Sequence, residues 1–177
     1  MIDRKEIWIT TGYEIFALAG KNDLKIDTLS RKVGVSKSSF YHHFADIEIF
    51  IDYLLKHHIK QSHIIAEKEQ NAKNIEPELI SILVAHKIDL LFNKQLRINR
   101  EIKDYTDILT LSTQIIGNPL VMLWIKELKL SMTQKQLEGI FELALDNFYL
   151  QITNNNLNEN WLTQYFEKLK RIIISFS

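Results

Sequence analysis

LKIDTLSRKVGVSKSSFYHHF (Leu24–Phe44) is the stretch whose reading decides the fold, because two short apolar patterns meet in it at one glycine. Ile26, Leu29 and Val33 follow at spacings of three and four, which predicts a helix of barely two turns closed by Gly34. Gly34 suits a turn with positive φ, open to a residue without Cβ. Ser36 is placed to be the N-cap of the next helix, Lys37–His43, its hydroxyl accepting from an orphan N–H. Phe40 and Phe44 lie four apart and so share a face of that helix. Two short helices joined by a tight turn are the parts of a helix-turn-helix. Ser30 would sit where they cross, with Leu29, Val33, Val35 and Phe40 pinning them together.

Working outward, Ile7, Ile15, Phe16, Leu18 and Ala19 recur at helical spacing before Gly20, predicting a first helix over Arg4–Ala19. Asp46 is the expected N-cap of a long fourth helix from Ile47 to about Lys68. A polar run from Glu67 to Glu76 marks a joint, with Pro77 suited to a first helical position. Beyond it the spacing predicts helices over Glu78–Phe92, Leu96–Ile116 (with a candidate break near Tyr105), Pro119–Leu130, Thr133–Ile152 and Glu159–Phe176. Gly117 and the segment Asn154–Asn160 read as the clearest breaks. The chain reads as all-α, with about nine helices. Residues 1–46 form one expected domain and residues 47–177 a larger helical one.

Composition agrees. Hydrophobic residues make up 46% of the 177, enough for a real core, while five Gly and two Pro are too few for a turn-rich sheet protein. With no Cys, disulfides, thiolate metal sites and cysteine nucleophiles are excluded. The charged N-terminus has no apolar signal core. The run Ile115–Ile125 is too short to span a bilayer and is interrupted by Gly117 and Pro119. The expectation is a soluble cytoplasmic protein without a membrane partner. Lys and Arg total 22 against 22 Asp and Glu, which argues against a nonspecific nucleic-acid coat. Locally, however, Lys25, Arg31, Lys32 and Lys37 face a single acid, Asp27, between Leu24 and Phe44.

With the buried positions so assigned, the Lys37–His43 helix presents Lys37, Ser38, Tyr41 and His42 outward, N-terminal end first. Such an end can enter a major groove, where lysine and short polar side chains reach base edges. Other chemistries fit less well. His42 and His43 are adjacent and point about 100° apart on a helix, so they do not chelate one ion, and no shell of further ligands completes a metal site. Ser36, Ser38 and Ser39 lack a nucleophile elbow and a partnered acid, so no enzyme is expected. His57, His58 and His63 are expected to be solvated or capping residues.

The segment Leu24–Phe50 resembles the DNA-binding segment of the tetracycline-repressor family of one-component bacterial regulators. The residues that carry the resemblance are Leu29-Ser30, Gly34-Val35-Ser36, Ser38-Ser39, Phe40-Tyr41 and Phe44. It extends over about Ile7–Leu55; the remaining two-thirds is similar only in being helical and in ending on two long helices. The resemblance implies that Lys37, Ser38 and Tyr41 read bases or the adjoining backbone. It implies that Ser39, His42 and His43 touch phosphates, with Lys25 and Thr28 as helpers. The chain departs from the pattern at Ile47, where a phosphate-gripping lysine is usual, and at Lys25 and Asp27 in the second helix. Fewer phosphate contacts lower affinity and flatten its salt dependence. The resemblance also implies a small-molecule effector in a cavity of the larger domain, where His86, Phe92, Tyr105, Met122 and Trp124 are the candidates. No cofactor is expected.

The last two helices are apolar over more than a narrow stripe, which calls for a second partner. The economical solution is a two-fold homodimer through a four-helix bundle, with Phe141, Leu145, Phe148, Trp161, Tyr165, Leu169 and Ile172 at the interface. A dimer also suits a reader of a palindromic double-stranded operator, since one short helix spans few base pairs. The function expected is a ligand-responsive transcriptional repressor. The alternative is a helical dimerisation or interaction protein with weakened DNA binding.

Overall fold

A computed structural model describes residues 4–129 and 131–175. Among these, nine α-helices and no strand are present. They are α1 (Arg4–Ala19), α2 (Ile26–Val33), α3 (Lys37–His43), α4 (Ile47–Asn71) and α5 (Ile80–Ala85). The rest are α6 (Lys87–Ile98), α7 (Lys103–Leu128), α8 (Gln134–Gln151) and α9 (Glu159–Ser175).

The all-helical reading holds, and the first four helices lie where the spacing put them. The middle of the chain is divided differently. The helix expected over Glu78–Phe92 is interrupted at His86, whose φ of −102° and ψ of 26° end α5. Pro77 belongs to the turn before α5. Conversely, α7 runs unbroken through Gly117 and Pro119, the positions expected to stop it. A proline deletes one backbone N–H and crowds the carbonyl four residues back, but the rungs on either side hold the helix together. The expected ends at Leu130 and Phe176 lie outside the described residues. By length and composition α7 is therefore long and apolar enough to cross a membrane, with mean hydropathy 1.5 over its most apolar window. Only 28% of that window is buried, so much of its apolar surface is not used by the core.

The chain forms two compact units, and their division does not follow the expected boundary at residue 46. One runs to Gln61 and includes Ile88–Thr110; the other comprises Ser62–Lys87 and the chain from Leu111 onward. In the first, Trp8, Phe16, Leu29, Phe40, Phe50, Leu54, Phe92 and Leu96 are fully buried. This core draws on α6 as well as α1 to α4, which is why the unit extends past residue 46. Gly12 lets α1 approach α4: a Cβ there would lie 2.4 Å from the Phe50 ring. In the second unit, Trp124 is fully buried between the edges of Phe141 and Phe166, at centroid distances of 5.4 and 5.6 Å. Here α8 starts on a capping box, in which Thr133 Oγ1 accepts from Gln136 N–H while Gln136 Oε1 accepts from Thr133 N–H.

Candidate nucleic-acid interface

The turn between α2 and α3 is built by Gly34, at φ 77° and ψ 25°. From that left-handed conformation the N–H groups of Gly34 and Val35 both reach the Ser30 carbonyl, at 2.9 and 3.1 Å. The last turn of α2 is thereby closed and the chain redirected within two residues. The Ser30 side chain is buried at the crossing and donates to the Asp27 carbonyl at 3.2 Å. Leu29 and Phe40 are fully buried, while Val33 and Val35 are half-buried.

Beneath α3 lies an aromatic cluster. Phe40 meets Trp8 edge-on at 5.4 Å and Phe50 at 5.3 Å, and Phe44 meets Phe50 at 4.8 Å. Rigid rings on three helices fix the rotation of α3 about its own axis, and with it the residues that point out. Lys37, Ser38, Tyr41 and His42 are exposed, Tyr41 by 56%; Ser39 and His43 are half-exposed. Lys25 is exposed and Thr28 half-buried on α2. Of the eight residues expected at a nucleic-acid interface, six lie on α3 and Thr28 on α2, with Lys25 at the N-cap of α2.

Two local details differ from expectation. Ser36 has the extended backbone of an N-cap, but its hydroxyl bonds to the Ser38 hydroxyl at 2.7 Å instead of accepting from a backbone N–H. The neighbouring hydroxyl lies in easier reach. Lys37 is ion-paired with Asp27 across the turn, both side chains more than half exposed. A pair so exposed contributes little to stability, yet it occupies the lysine at the N-terminal end of α3. Asp46 does cap α4, its carboxylate accepting from Ile49 N–H at 2.8 Å. Sequence reasoning missed Lys5, whose ammonium lies 3.9 Å above the Tyr53 ring and 5.8 Å from Phe44. Hydrogen bonding and charge from Lys5 lower the Tyr53 pKa. No local pattern links residues 5 and 53.

Behind this surface the first unit holds a buried polar network. The Tyr13 hydroxyl donates to Asp89 Oδ1 at 2.8 Å and lies 2.7 Å from His58 Nδ1. With its one proton committed to Asp89, the hydroxyl accepts from His58 Nδ1–H, which fixes the imidazole tautomer. Burial pushes the His58 pKa down to about 4, so the ring is neutral near pH 7. This corrects the expectation of a solvated or capping His58: it is fully buried and stacked on Phe92 at 4.8 Å. His57 is half-buried, and desolvation lowers its pKa against the raising effect of Glu6.

The expected effector residues fall in different places. Phe92, stacked on Tyr13 at 4.2 Å, and Tyr105, edge-on to Phe16 at 5.8 Å, belong to the core of the first unit. Burial raises the Tyr105 pKa to about 12. Trp124 is core in the second unit, and His86 accepts from Lys68 Nζ at 2.8 Å there. Met122 is 53% exposed and lines a cavity of about 490 Å³ in that unit. Among the described residues, no three His, Asp or Glu side chains are grouped to hold a metal ion.

On α8 and α9 the outward register differs from the expected one. Phe141, Phe148 and Leu169 are buried within the chain, and Leu145, Trp161 and Tyr165 are half-buried; Ile172 remains 43% exposed. Leu143 and Leu150 are instead 83% and 79% exposed. A groove of about 720 Å³ runs between the two helices, lined by Ile140, Leu143, Ala144, Tyr165, Leu169 and Ile172. Both sets of α8 residues recur every seven positions and lie two positions, about 200°, apart around the helix, so their spacing alone does not tell inside from outside. No protein-family model matches the chain, and comparison with characterised proteins gave no match.

Proposed function

We propose that this protein is a ligand-responsive, DNA-binding transcriptional regulator of the tetracycline-repressor type. In this reading α2, the Gly34 turn and α3 form a helix-turn-helix, and the protein is a cytoplasmic homodimer that represses from a palindromic operator. The observation that carries the reading is the orientation of α3. Trp8, Phe40, Phe44 and Phe50 hold its apolar side, leaving Lys37, Ser38, Tyr41 and His42 on one exposed face. A seven-residue helix is too short to be stable in water alone. Its rigid seating with polar side chains outward suits a reader that must enter a groove unchanged.

Lys37, Ser38 and Tyr41 would contact bases or the adjoining backbone; Ser39, His42, His43, Lys25 and Thr28 would contact phosphates, which set register without reading sequence. The exposed Leu143, Leu150 and Ile172 support a partner on α8 and α9, and a second copy supplies the two-fold symmetry that a palindrome requires. The effector would act through its different affinity for the DNA-bound and free forms, since equal affinity shifts nothing.

Selection of bound fragments from a random DNA pool tests the reading. An enriched palindrome with half-sites about 34–36 Å apart, or a multiple of that, is expected. Tyr41→Ala should abolish the gel shift while leaving the thermal transition in place. Unchanged gel-shift affinity would sink the assignment of α3, and a monomer by light scattering at micromolar concentration would sink the dimer.

The second reading, a helical dimerisation or interaction protein with weakened DNA binding, is favoured by two observations. Lys37 is already paired with Asp27, and half-buried Ile47 stands where a phosphate contact is usual. DNA titrations at several salt concentrations separate the two. A specific binder retains its preference for the selected palindrome as salt rises, whereas an interaction protein shows none at any salt.

A further inference from the structure

Glu69, near the C-terminal end of α4, is 1% exposed, and neither carboxyl oxygen has a hydrogen-bond partner. Burying a carboxyl without a donor costs several kcal/mol when it is ionised and still sacrifices hydrogen bonds when it is neutral. Such groups are rare in cores and call for a physical account. The surroundings offer one. Glu69 contributes to the wall of the cavity of about 490 Å³, with Pro119, Met122 and Leu123 as apolar walls and Gln70 and Lys126 alongside. That volume lies within the range of small-molecule sites, which are mostly apolar with a few placed polar groups.

We propose that this cavity binds an apolar organic amine, its hydrocarbon body against Pro119, Met122 and Leu123 and its ammonium paired with Glu69. The proposal deepens the effector part of the function given above and rests on that reading only for its consequence on DNA. A buried carboxyl without donors is a poor site for an anion. When protonated it can donate one hydrogen bond to a neutral acceptor, but its strongest partner is a cation carrying N–H groups, met by charge-assisted hydrogen bonds. Burial alone pushes Glu69 up to about 8, so the empty site carries little charge near neutral pH. An arriving ammonium restores the ionised form and supplies the donors that the protein withholds. Both carboxyl oxygens are shielded from solvent in the empty site, so a neighbouring side chain on this wall, such as the exposed Gln70 or Met122, must move aside as the ammonium enters. Lys126 is exposed on the same wall and opposes a cation, so the ammonium must approach on the Glu69 side.

Three probes that differ only in head group test the proposal by calorimetry on the full chain: phenylbutylamine, phenylbutanol and phenylbutyrate. The amine is expected to bind about ten- to a hundredfold more tightly than the alcohol, the range a charge-assisted hydrogen bond supplies. Glu69→Gln should erase that preference while the alcohol's affinity stays unchanged. Lys126→Ala should tighten the amine. Preference for phenylbutyrate, an amine affinity unchanged in Glu69→Gln, or no amine binding at millimolar concentration would each overturn the proposal. Release of selected DNA by the amine supports both readings. Amine binding through Glu69 in a protein that selects no DNA upholds the site and refutes the proposed function.

Discussion

Each compact unit buries a carboxyl group, Asp89 in one and Glu69 in the other, and the two are treated in opposite ways. Asp89 accepts from the Tyr13 hydroxyl, which is in turn bonded to His58, and Phe92 packs against both rings. Glu69 accepts nothing. A hydrogen-bonded polar network in a low-dielectric interior stiffens the elements it joins, here α1, α4 and α6, because each bond made is lost if one member moves. An acid without donors does the reverse: it destabilises the surrounding fold and marks a place where a bound molecule can return the lost interaction. The first unit, which carries the proposed DNA reader, ties its buried acid to two other helices, whereas the second leaves its buried acid without a donor.

The contrast can be broken most sharply at the shared hydroxyl. Tyr13→Phe removes the donor to Asp89 and the acceptor of His58 together. It should cost about 2–3 kcal/mol, read as a lower denaturation midpoint of Trp8 fluorescence. A loss below about half a kcal/mol would show that the network is incidental. On the other side, Glu69→Leu should stabilise the second unit by about 1–2 kcal/mol at neutral pH, since an apolar side chain of similar volume replaces a desolvated acid. Trp124 reports on that unit, and destabilisation there would mean that Glu69 has donors in solution.

Titration sharpens the same comparison, because His58 and Glu69 are shifted in opposite directions. His58 is depressed from 6.5 to about 4, so the unfolded chain binds more protons between those values. Its contribution is present above pH 6.5 and lost as pH falls toward 4. Glu69 is raised from 4.5 to about 8, so the folded form holds the extra proton. Its contribution is present below pH 4.5 and lost as pH rises through 8. Acid should therefore weaken the Trp8 transition and mild alkali the Trp124 transition, and Glu69→Gln should remove the alkaline effect alone. The smallest effect concerns the reader: Asp27→Asn frees Lys37, which should raise affinity for the selected DNA a few-fold. The logarithmic salt slope should steepen by about 0.9, the equivalent of one phosphate contact.

The α2–α3 turn was legible in the sequence because its determinants are local. Spacings of three and four, one glycine and two phenylalanines on one face all fall within Ile26–Phe44. The network around Tyr13 was not legible, since its partners lie 45 and 76 residues away and nothing local distinguishes His58 from His57. The outward register of α8 was hidden for another reason. Phe141 and Phe148 on one side and Leu143 and Leu150 on the other each repeat every seven residues, so periodicity cannot say which pair faces in. Gly117 and Pro119 misled because breaker residues act through local propensity, which a long helix with intact flanking rungs overrides. Glu69 left no sequence signal at all; burial around it is a property of the assembled fold.

Two glycines described above resist substitution for unrelated reasons, and a saturation-mutagenesis library would tell them apart. At Gly34 a Cβ would meet nothing within 4 Å, and the barrier is the φ of 77° alone. Asparagine, which tolerates that region, should survive selection there. At Gly12 the backbone is ordinary helix and the barrier is the ring of Phe50. Position 12 should accept nothing larger than hydrogen unless residue 50 shrinks with it, so the two positions are expected to co-vary as a pair.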